Sequence, residues 1–340
     1  MLVTGLAGVG KTHLIKKVVD GLRKQGETVH LISLCHVGAC VLGGHTIHHL
    51  IHKYIRNGNV TRGWIVVDEC GQVPVTLWAQ LQKLCLEPEI RWIAMGDPNQ
   101  FSPIDKTWKG SEVKASIWDS GLLQHMCGSL EVKLTRYRRG NDPALFSFYS
   151  SIPTSMATWN LKDVIKAFKD KFPLKSGDAD YNLVISHEKR VALNHTLNNA
   201  AYEAYKRSGG REGRKITIDE TPKIKNRPQD YYCFPGQVLI GVSDCNKDIK
   251  NGYFYRVEEV DAYNVMLFSM DEGFYKPVSL KTMEEQLRLS HAMVYAAVQG
   301  RTFTGRVRLW DTGHRHFTRT HLLVGISRAT SGELVDIGEK

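Results

Sequence analysis

Residues Gly5-Leu6-Ala7-Gly8-Val9-Gly10-Lys11-Thr12 form a complete G-x-x-x-x-G-K-[ST] array, the spacing that suits a nucleoside-triphosphate site. Gly5, Gly8 and Gly10 let the backbone wrap phosphates and aim its N–H groups at them. Lys11 is spaced to reach the β- and γ-phosphates, and Thr12 to offer its hydroxyl to Mg²⁺ at the start of a helix. A second array, Trp64-Ile65-Val66-Val67-Asp68-Glu69, is an apolar run ending in two carboxylates. Beside a phosphate loop, a strand-end Asp holds Mg²⁺ and a neighbouring Glu polarises the attacking water, roles that fit Asp68 and Glu69. Alone, such an acidic pair is ordinary surface chemistry; with the loop it completes a hydrolytic site. A third run, Ile90 to Met95, leads into Gly96-Asp97-Pro98-Asn99-Gln100. The Gln100 amide donates and accepts at once, so it can sense a γ-phosphate or orient water, where the plain alternative is a turn.

Positioning these groups requires strands that end where helices begin. Met1 to Thr4 reads as a short strand, and Thr12 to Lys24 as a helix in which Leu14, Ile15, Val18, Val19 and Leu22 recur at helical spacing. Val29 to Leu34, Trp64 to Val67 and Arg91 to Met95 read as further buried strands with helical stretches between them. That alternation predicts an α/β fold with a parallel sheet covered by helices. A polar stretch from Gly140 to Asp180, with Pro143, Pro153 and Pro173, precedes another strand at Tyr181 to Ser186. The expected division is a first domain over 1–140, a linker over 141–180 and a second domain over 181–340. Arg207 to Lys225 reads as an exposed charged loop.

Composition agrees with a nucleic-acid partner without requiring one. The 340 residues carry 45 Lys and Arg against 35 Asp and Glu, a net charge of +10 that favours a polyanion through phosphate contact and counterion release. The seven cysteines form no C-x-x-C pair, which argues against a zinc ribbon or disulfide framework and for a reducing compartment. With neither a signal-peptide pattern nor an apolar run of about 18 residues, a soluble intracellular protein of cytoplasm or nucleus is expected, with no membrane partner.

The three arrays, in this order and at these separations, resemble the superfamily-1 helicases. The resemblance continues through Leu134-Thr135-Arg136-Tyr137-Arg138-Arg139, Val298-Gln299-Gly300-Arg301-Thr302-Phe303 and Val324-Gly325-Ile326-Ser327-Arg328-Ala329, which are similar to that superfamily's fourth, fifth and sixth motifs. Within it, Val37-Gly38-Ala39-Cys40 followed by Gly43-Gly44-His45-Thr46-Ile47-His48 resembles the strand-contacting segment of the RecD-like branch that includes the petite-integration-frequency helicases. Val184 to Asn194 and the Asn251-Gly252 turn within Asn246 to Val257 resemble further segments of that branch.

The resemblance implies two RecA-like P-loop NTPase domains with parallel sheets, and a small β-rich insertion at about 255–290 in the second. ATP with Mg²⁺ would lie between the domains, and the second domain would deliver Arg138 and Arg328 to the γ-phosphate, with Arg139 the rival for the first. Lys11, Glu69, Gln100, Arg138 and Arg328 are then the expected catalytic set. Gly5, Gly8, Gly10, Lys11, Thr12 and Gly300 would bind nucleotide, with Thr12 and Asp68 on the metal. Gly38, Gly44, Thr46, His48, Gln299 and Thr302 would meet single-stranded nucleic acid, DNA favoured over RNA. The implied activity is ATP-driven 5′→3′ translocation and unwinding in replication or repair, with further domains or replication proteins as partners. A nucleic-acid-stimulated ATPase that remodels nucleoprotein without unwinding, and a binding module that uses ATP only for structural order, are the rival classes.

Departures from the family pattern mark a divergent member, viral or one module of a larger polypeptide. The Gln-containing segment that reads adenine upstream of the loop in many relatives is missing, so these motifs do not fix base selectivity. Only Leu50 to Gly63 separate the strand-contacting segment from the Asp-Glu strand, where relatives often insert a duplex-splitting wedge, so unwinding that is weak or needs a partner is expected. Ala296-Ala297-Val298 replaces the fifth motif's His-Lys-Ser, and Leu323 replaces the sixth motif's Tyr. The histidines His36, His45, His48, His49 and His52 match no zinc spacing, so backbone contact and helix packing are the expected roles. Trp64 and Trp92, within strands, are expected in the core and not on a base.

Overall fold

The computed structural model of the chain describes residues 1–55, 60, 62–103, 107–108, 110–113, 116–140, 142–218, 229–242 and 249–339. They form two compact units, Met1–Asn160 with Arg319–Ser331, and Leu161–Thr318 with Gly332–Lys340. Among the described residues no helix is long and apolar enough to cross a membrane.

The first unit is built on a parallel six-stranded sheet. Its strands β1 (Leu2–Thr4), β2 (Val29–Ser33), β3 (His45–Thr46), β4 (Arg62–Asp68) and β5 (Glu89–Gly96) lie in the order β3-β2-β4-β5-β1, and Glu131–Lys133 adds to the far side of β1. The near-continuous apolar runs of β4 and β5 follow from burial on both faces. Val66, Ile93 and Met95 point to one side, where they pack with Ile15 and Val19 of helix α1 (Lys11–Lys24). Ile65, Val67, Trp92 and Ala94 point to the other, against Leu50, Trp78, Leu81 and Leu123. Trp92 is buried as expected, whereas half-buried Trp64 lies beneath the Arg91 guanidinium, 5.5 Å from its ring centroid. Because β1, β4 and β5 are neighbours and parallel, the phosphate loop, Asp68 and Asp97 emerge at the same edge of the sheet. Ligands of open α/β sheets bind at these carboxyl ends.

The stretch expected as a linker holds two helices. Pro143 opens Pro143–Ser151 at a position needing no N–H donor, and Asp142 Oδ1 caps it by accepting from Leu145 N at 3.0 Å. Leu161–Lys171 buries Val164 and Phe168, and the two units divide just before it. Its polar average hides amphipathic stripes.

The second unit contains a parallel four-stranded sheet in the order Ala292–Val294, Tyr181–Val184, Val307–Leu309, Val335–Ile337. Helix His187–Arg207 is capped by Ser186, and Asn194 ties it down by exchanging hydrogen bonds with Ala292 (2.7 and 3.1 Å). The expected β-rich insertion is present as an antiparallel five-stranded sheet. It begins earlier than 255, at Val238–Gly241, which pairs with both Phe254–Val260 and Leu287–Leu289. A four-residue apolar strand has no alternation to betray it and is defined by its neighbours. Within the expected loop Arg207 to Lys225, Arg207 ends a helix and Arg214–Ile216 pairs with Tyr231–Cys233, burying Ile216; residues 219–225 lie outside the described set. Gly252 sits in a turn with φ 83°, whereas 246–248 lie outside the described set.

Candidate active site

The phosphate loop leaves β1 through three glycines with positive φ: Gly5 (150°), Gly8 (80°) and Gly10 (89°). Two of them are also sterically required. A Cβ on Gly5 would lie 2.5 Å from the Leu134 carbonyl oxygen, and one on Gly8 would lie 2.9 Å from the Tyr137 ring. Gly10 caps α1 in the left-handed region, which turns the loop into the helix. Lys11 Nζ donates to the carbonyls of Gly5 (2.7 Å) and Leu6 (3.1 Å), so the side chain curls along the loop it would serve. Thr12 is half-buried in the first turn of α1.

Beside the loop, Asp68 is buried at the end of β4 and its Oδ1 accepts from Glu69 N at 2.8 Å. Burial first, and then the Glu69 carboxylate, push the Asp68 carboxyl up to about 7, against an opposing pull from Lys11. Glu69 holds a left-handed backbone (φ 50°), which is strained for a residue with a side chain and concentrates at functional sites. Asp97 is also buried and organises the β5 turn: its carboxylate accepts from Asn99 N (3.0 Å), Asn99 Nδ2 (3.2 Å) and Gln100 Nε2 (3.2 Å). Gln100 is thereby fixed, buried, next to the strand end.

The two expected arginines both belong to the first unit. Arg138 is exposed, and its backbone N–H donates to Gly8 O at 2.7 Å. Arg139 points inward: Nη1 donates to Ser327 O at 2.6 Å, burial lowers its pKa, and Tyr149, Tyr137 and Glu69 act against that lowering. Arg328 is 1% exposed, donating to Val324 O (3.0 Å) and Ser327 Oγ (2.8 Å). Burial and the neighbouring Arg139 bring it down to about 9, opposed by Glu69, Tyr149 and Asp97. Arg319–Ser331 enters the first unit because its helix Arg319–Ile326 buries Leu322, Leu323, Val324 and Ile326.

Residues that the sequence reading did not nominate complete this cluster. Tyr149, from helix Pro143–Ser151, donates its hydroxyl to the Ala7 carbonyl at 2.9 Å, and burial pushes its pKa up. Tyr137 stacks on Phe146 at 4.6 Å and has a buried hydroxyl with no hydrogen-bond partner among the described residues. Asp97 stood at a strand end and could have been found; nothing in the sequence pairs Tyr149 with Ala7. Tyr149→Phe removes one buried hydrogen bond worth about 1 kcal/mol and leaves the Ala7 carbonyl unpaired. The expected result is an ATP KM raised about fivefold with little change in kcat, measured by steady-state hydrolysis.

The strand-contacting candidates divide by location. Gly38 and Gly44 are demanded by packing, since a Cβ would lie 2.3 Å from Ser33 Oγ and 2.2 Å from Leu31 O respectively. Thr46 Oγ1 caps helix α3 (Ile47–Leu50; α2 is His36–Leu42) by accepting from His49 N at 3.3 Å, and His48 is exposed. Gln299, Gly300 and Thr302 lie in the second unit on the loop after Tyr295–Val298, with Gly300 and Thr302 exposed. Between them in sequence, Arg301 is buried over the Phe254 ring (4.2 Å to the centroid) and 3.6 Å from Asp271, so it anchors the insertion.

Burying Asp68, and placing it beside Glu69, carries a folding cost. The unfolded carboxyl titrates near 3.8 and the folded one near 7, so the folded state binds more protons between these values and loses stability as pH rises through them. Asp68→Asn is expected to match wild type near pH 4. Above pH 7, without Mg²⁺ or nucleotide, it should be more stable by on the order of 2 to 4 kcal/mol. Denaturant melts across pH check this; a stability difference independent of pH would refute it.

The fold is shared with known proteins. Residues 1–122 match the AAA domain family model. No curated protein matches the chain. Among solved structures, one of two Pif1 helicases coordinating on forked double-stranded DNA aligns with a TM-score of 0.72 at 16% identity, covering 99% of this chain and 87% of that one. Pif1 helicase from Candida albicans gives 0.66 at 18%, covering 99% and 90%. The Bacteroides enzyme in complex with ADP-AlF3 and single-stranded DNA gives 0.69 at 17%, covering 99% and 88%. Residues 1–122 thus resemble the AAA domain family, and the chain adopts along almost its whole length the two-domain, RecA-like fold of the Pif1 helicase structures.

Proposed function

We propose that the chain hydrolyses ATP and uses the turnover to move along single-stranded nucleic acid. The carrying observation is the gathering, at one edge of a single parallel sheet, of the phosphate loop, the Asp68-Glu69 pair, Gln100 and two inward arginines that share the field of Glu69. A buried carboxyl pushed up to about 7 beside a second carboxylate fits a divalent cation. Thr12 and Asp68 would hold Mg²⁺, which offsets charge on the phosphate oxygens when bound.

The residues then divide the work. Loop N–H groups and Lys11 bind the phosphates, and Glu69 accepts the proton of the attacking water. Gln100, held in place by Asp97, orients that water. Arg328, with Arg139 rather than exposed Arg138 as its companion, stabilises charge developing on the transferred phosphoryl group. Thr46 and His48 of the first unit, and Gln299 and Thr302 of the second, contact the strand; Gly300 shapes the loop toward nucleotide. Nucleotide-dependent movement of these two sets past one another produces translocation, 5′→3′ and on DNA by analogy with the Pif1 helicases.

The short Leu50 to Gly63 connection favours a second reading, a stimulated ATPase that remodels nucleoprotein without separating strands. Matched DNA and RNA duplexes with a 5′ or a 3′ tail distinguish them. Unwinding of the 5′-tailed DNA is expected. Stimulated hydrolysis with no strand separation on any substrate selects the second reading, and hydrolysis unaffected by nucleic acid refutes both.

A further inference from the structure

The edge of the first sheet carries an imidazole cluster outside the nucleotide site. β3 is the outermost strand, and its register with β2 sets His45 opposite Ile32, on the same sheet face as His30 two residues earlier. The Thr46-capped turn that follows brings His49 back over His45. The two rings stack with centroids 4.5 Å apart and planes 25° from parallel. His45, His48, His49, His52 and Lys53 are all exposed, and His30 is half-buried.

Stacked imidazoles repel once both are protonated. His49 is held below the ordinary imidazole value by partial burial, then by His45 and then by Lys53; His30 is held down by burial and by His45. A metal does not account for the cluster, because among the described residues no group of three or more His, Cys, Asp or Glu side chains is placed to hold one. An anion laid against it would reverse the sign of the local field. It would also favour the charged form of several rings at once.

We propose that the stacked His45–His49 pair, with His30 behind it and Lys53 beside it, is a proton-coupled contact for the phosphodiester backbone of single-stranded nucleic acid. This rests on the motor reading and adds proton coupling to the strand contacts expected of the segment. Lys53 lies beside the pair, and His49 and His30 supply a positive charge that appears when the strand binds. The bound state takes up protons, so affinity rises as pH falls from the raised bound-state pKa toward the lowered free-state one. It is flat outside that window. Each linked proton contributes up to about tenfold per pH unit within it.

The test is fluorescence anisotropy of the full chain with labelled oligodeoxythymidine and oligouridine, at constant ionic strength and without nucleotide, from pH 8 to pH 5.5. Wild type is expected to bind both about tenfold more tightly at pH 6 than at pH 8. His45→Gln/His49→Gln, at two exposed positions, should keep the wild-type melting temperature and show less than about a twofold change. If the double variant melts lower, His49→Gln alone must lose at least half of the response on a logarithmic scale. The proposal fails if that loss is absent, if the double variant keeps the wild-type response, or if wild-type affinity is flat with pH. Wild type that binds neither oligonucleotide at any pH overturns the motor reading as well, whereas tight but flat binding overturns the proton-coupled contact alone.

Discussion

Glu69→Gln should lower kcat for ATP hydrolysis by about 10² to 10⁴-fold, the range that a positioned general base contributes, while leaving the ATP dissociation constant within about threefold of wild type. The substitution is nearly isosteric and the left-handed backbone at φ 50° is asked of Gln as of Glu, so the loss reports chemistry and not local unfolding. It also removes the charge that raises Asp68, which relieves rather than adds strain. Single-turnover hydrolysis and fluorescent-nucleotide binding separate the two quantities. Hydrolysis at the wild-type rate would remove Glu69 from its role and leave Asp97, a buried carboxylate of the same cluster, as the candidate base.

Arg328→Ala should reduce nucleic-acid-stimulated kcat by about 10³-fold, the lower part of the range for arginines that meet a transferring phosphoryl group. Arg328 is 1% exposed and brought down to about 9 by burial and by Arg139, so its guanidinium is weakly hydrated and held against a like charge. That arrangement stabilises the ground state poorly and a developing anion well. Because the truncation also leaves a cavity, Arg328→Lys serves as the companion. It retains a charge but lacks the fork that reaches both Val324 O and Ser327 Oγ, and should recover stability more than turnover. Unchanged stimulated turnover in both variants would exclude Arg328 from the hydrolytic cluster.

Much of this site was legible because its chemistry is contiguous. The phosphate loop is eight successive residues whose glycines are needed for backbone reasons, and all three have the positive φ that their type permits. Asp68 and Glu69 were legible from the apolar run that precedes them, since a strand buried on both faces must end where polar groups begin. Burial likewise decided the histidines only in part: spacing argued against zinc, but the stacking of His45 on His49 follows from a two-residue strand and a capped turn that no periodicity announces.

By itself the sequence determined the α/β class, the loop, the acidic pair and a parallel sheet, because each is written in neighbouring residues or in a period of a few. Only the tertiary structure decided that Arg139 turns inward while Arg138 is exposed. It also decided that Arg328 joins the first unit and that Tyr149 holds a carbonyl 142 residues away. Gly38 and Gly44 were assigned to close packing in the same way. Adjacent arginines have equal propensities and equal charge; which one meets Glu69 is fixed by the path of the backbone after Gly5 and Gly8, and by a helix that arrives from the far end of the chain.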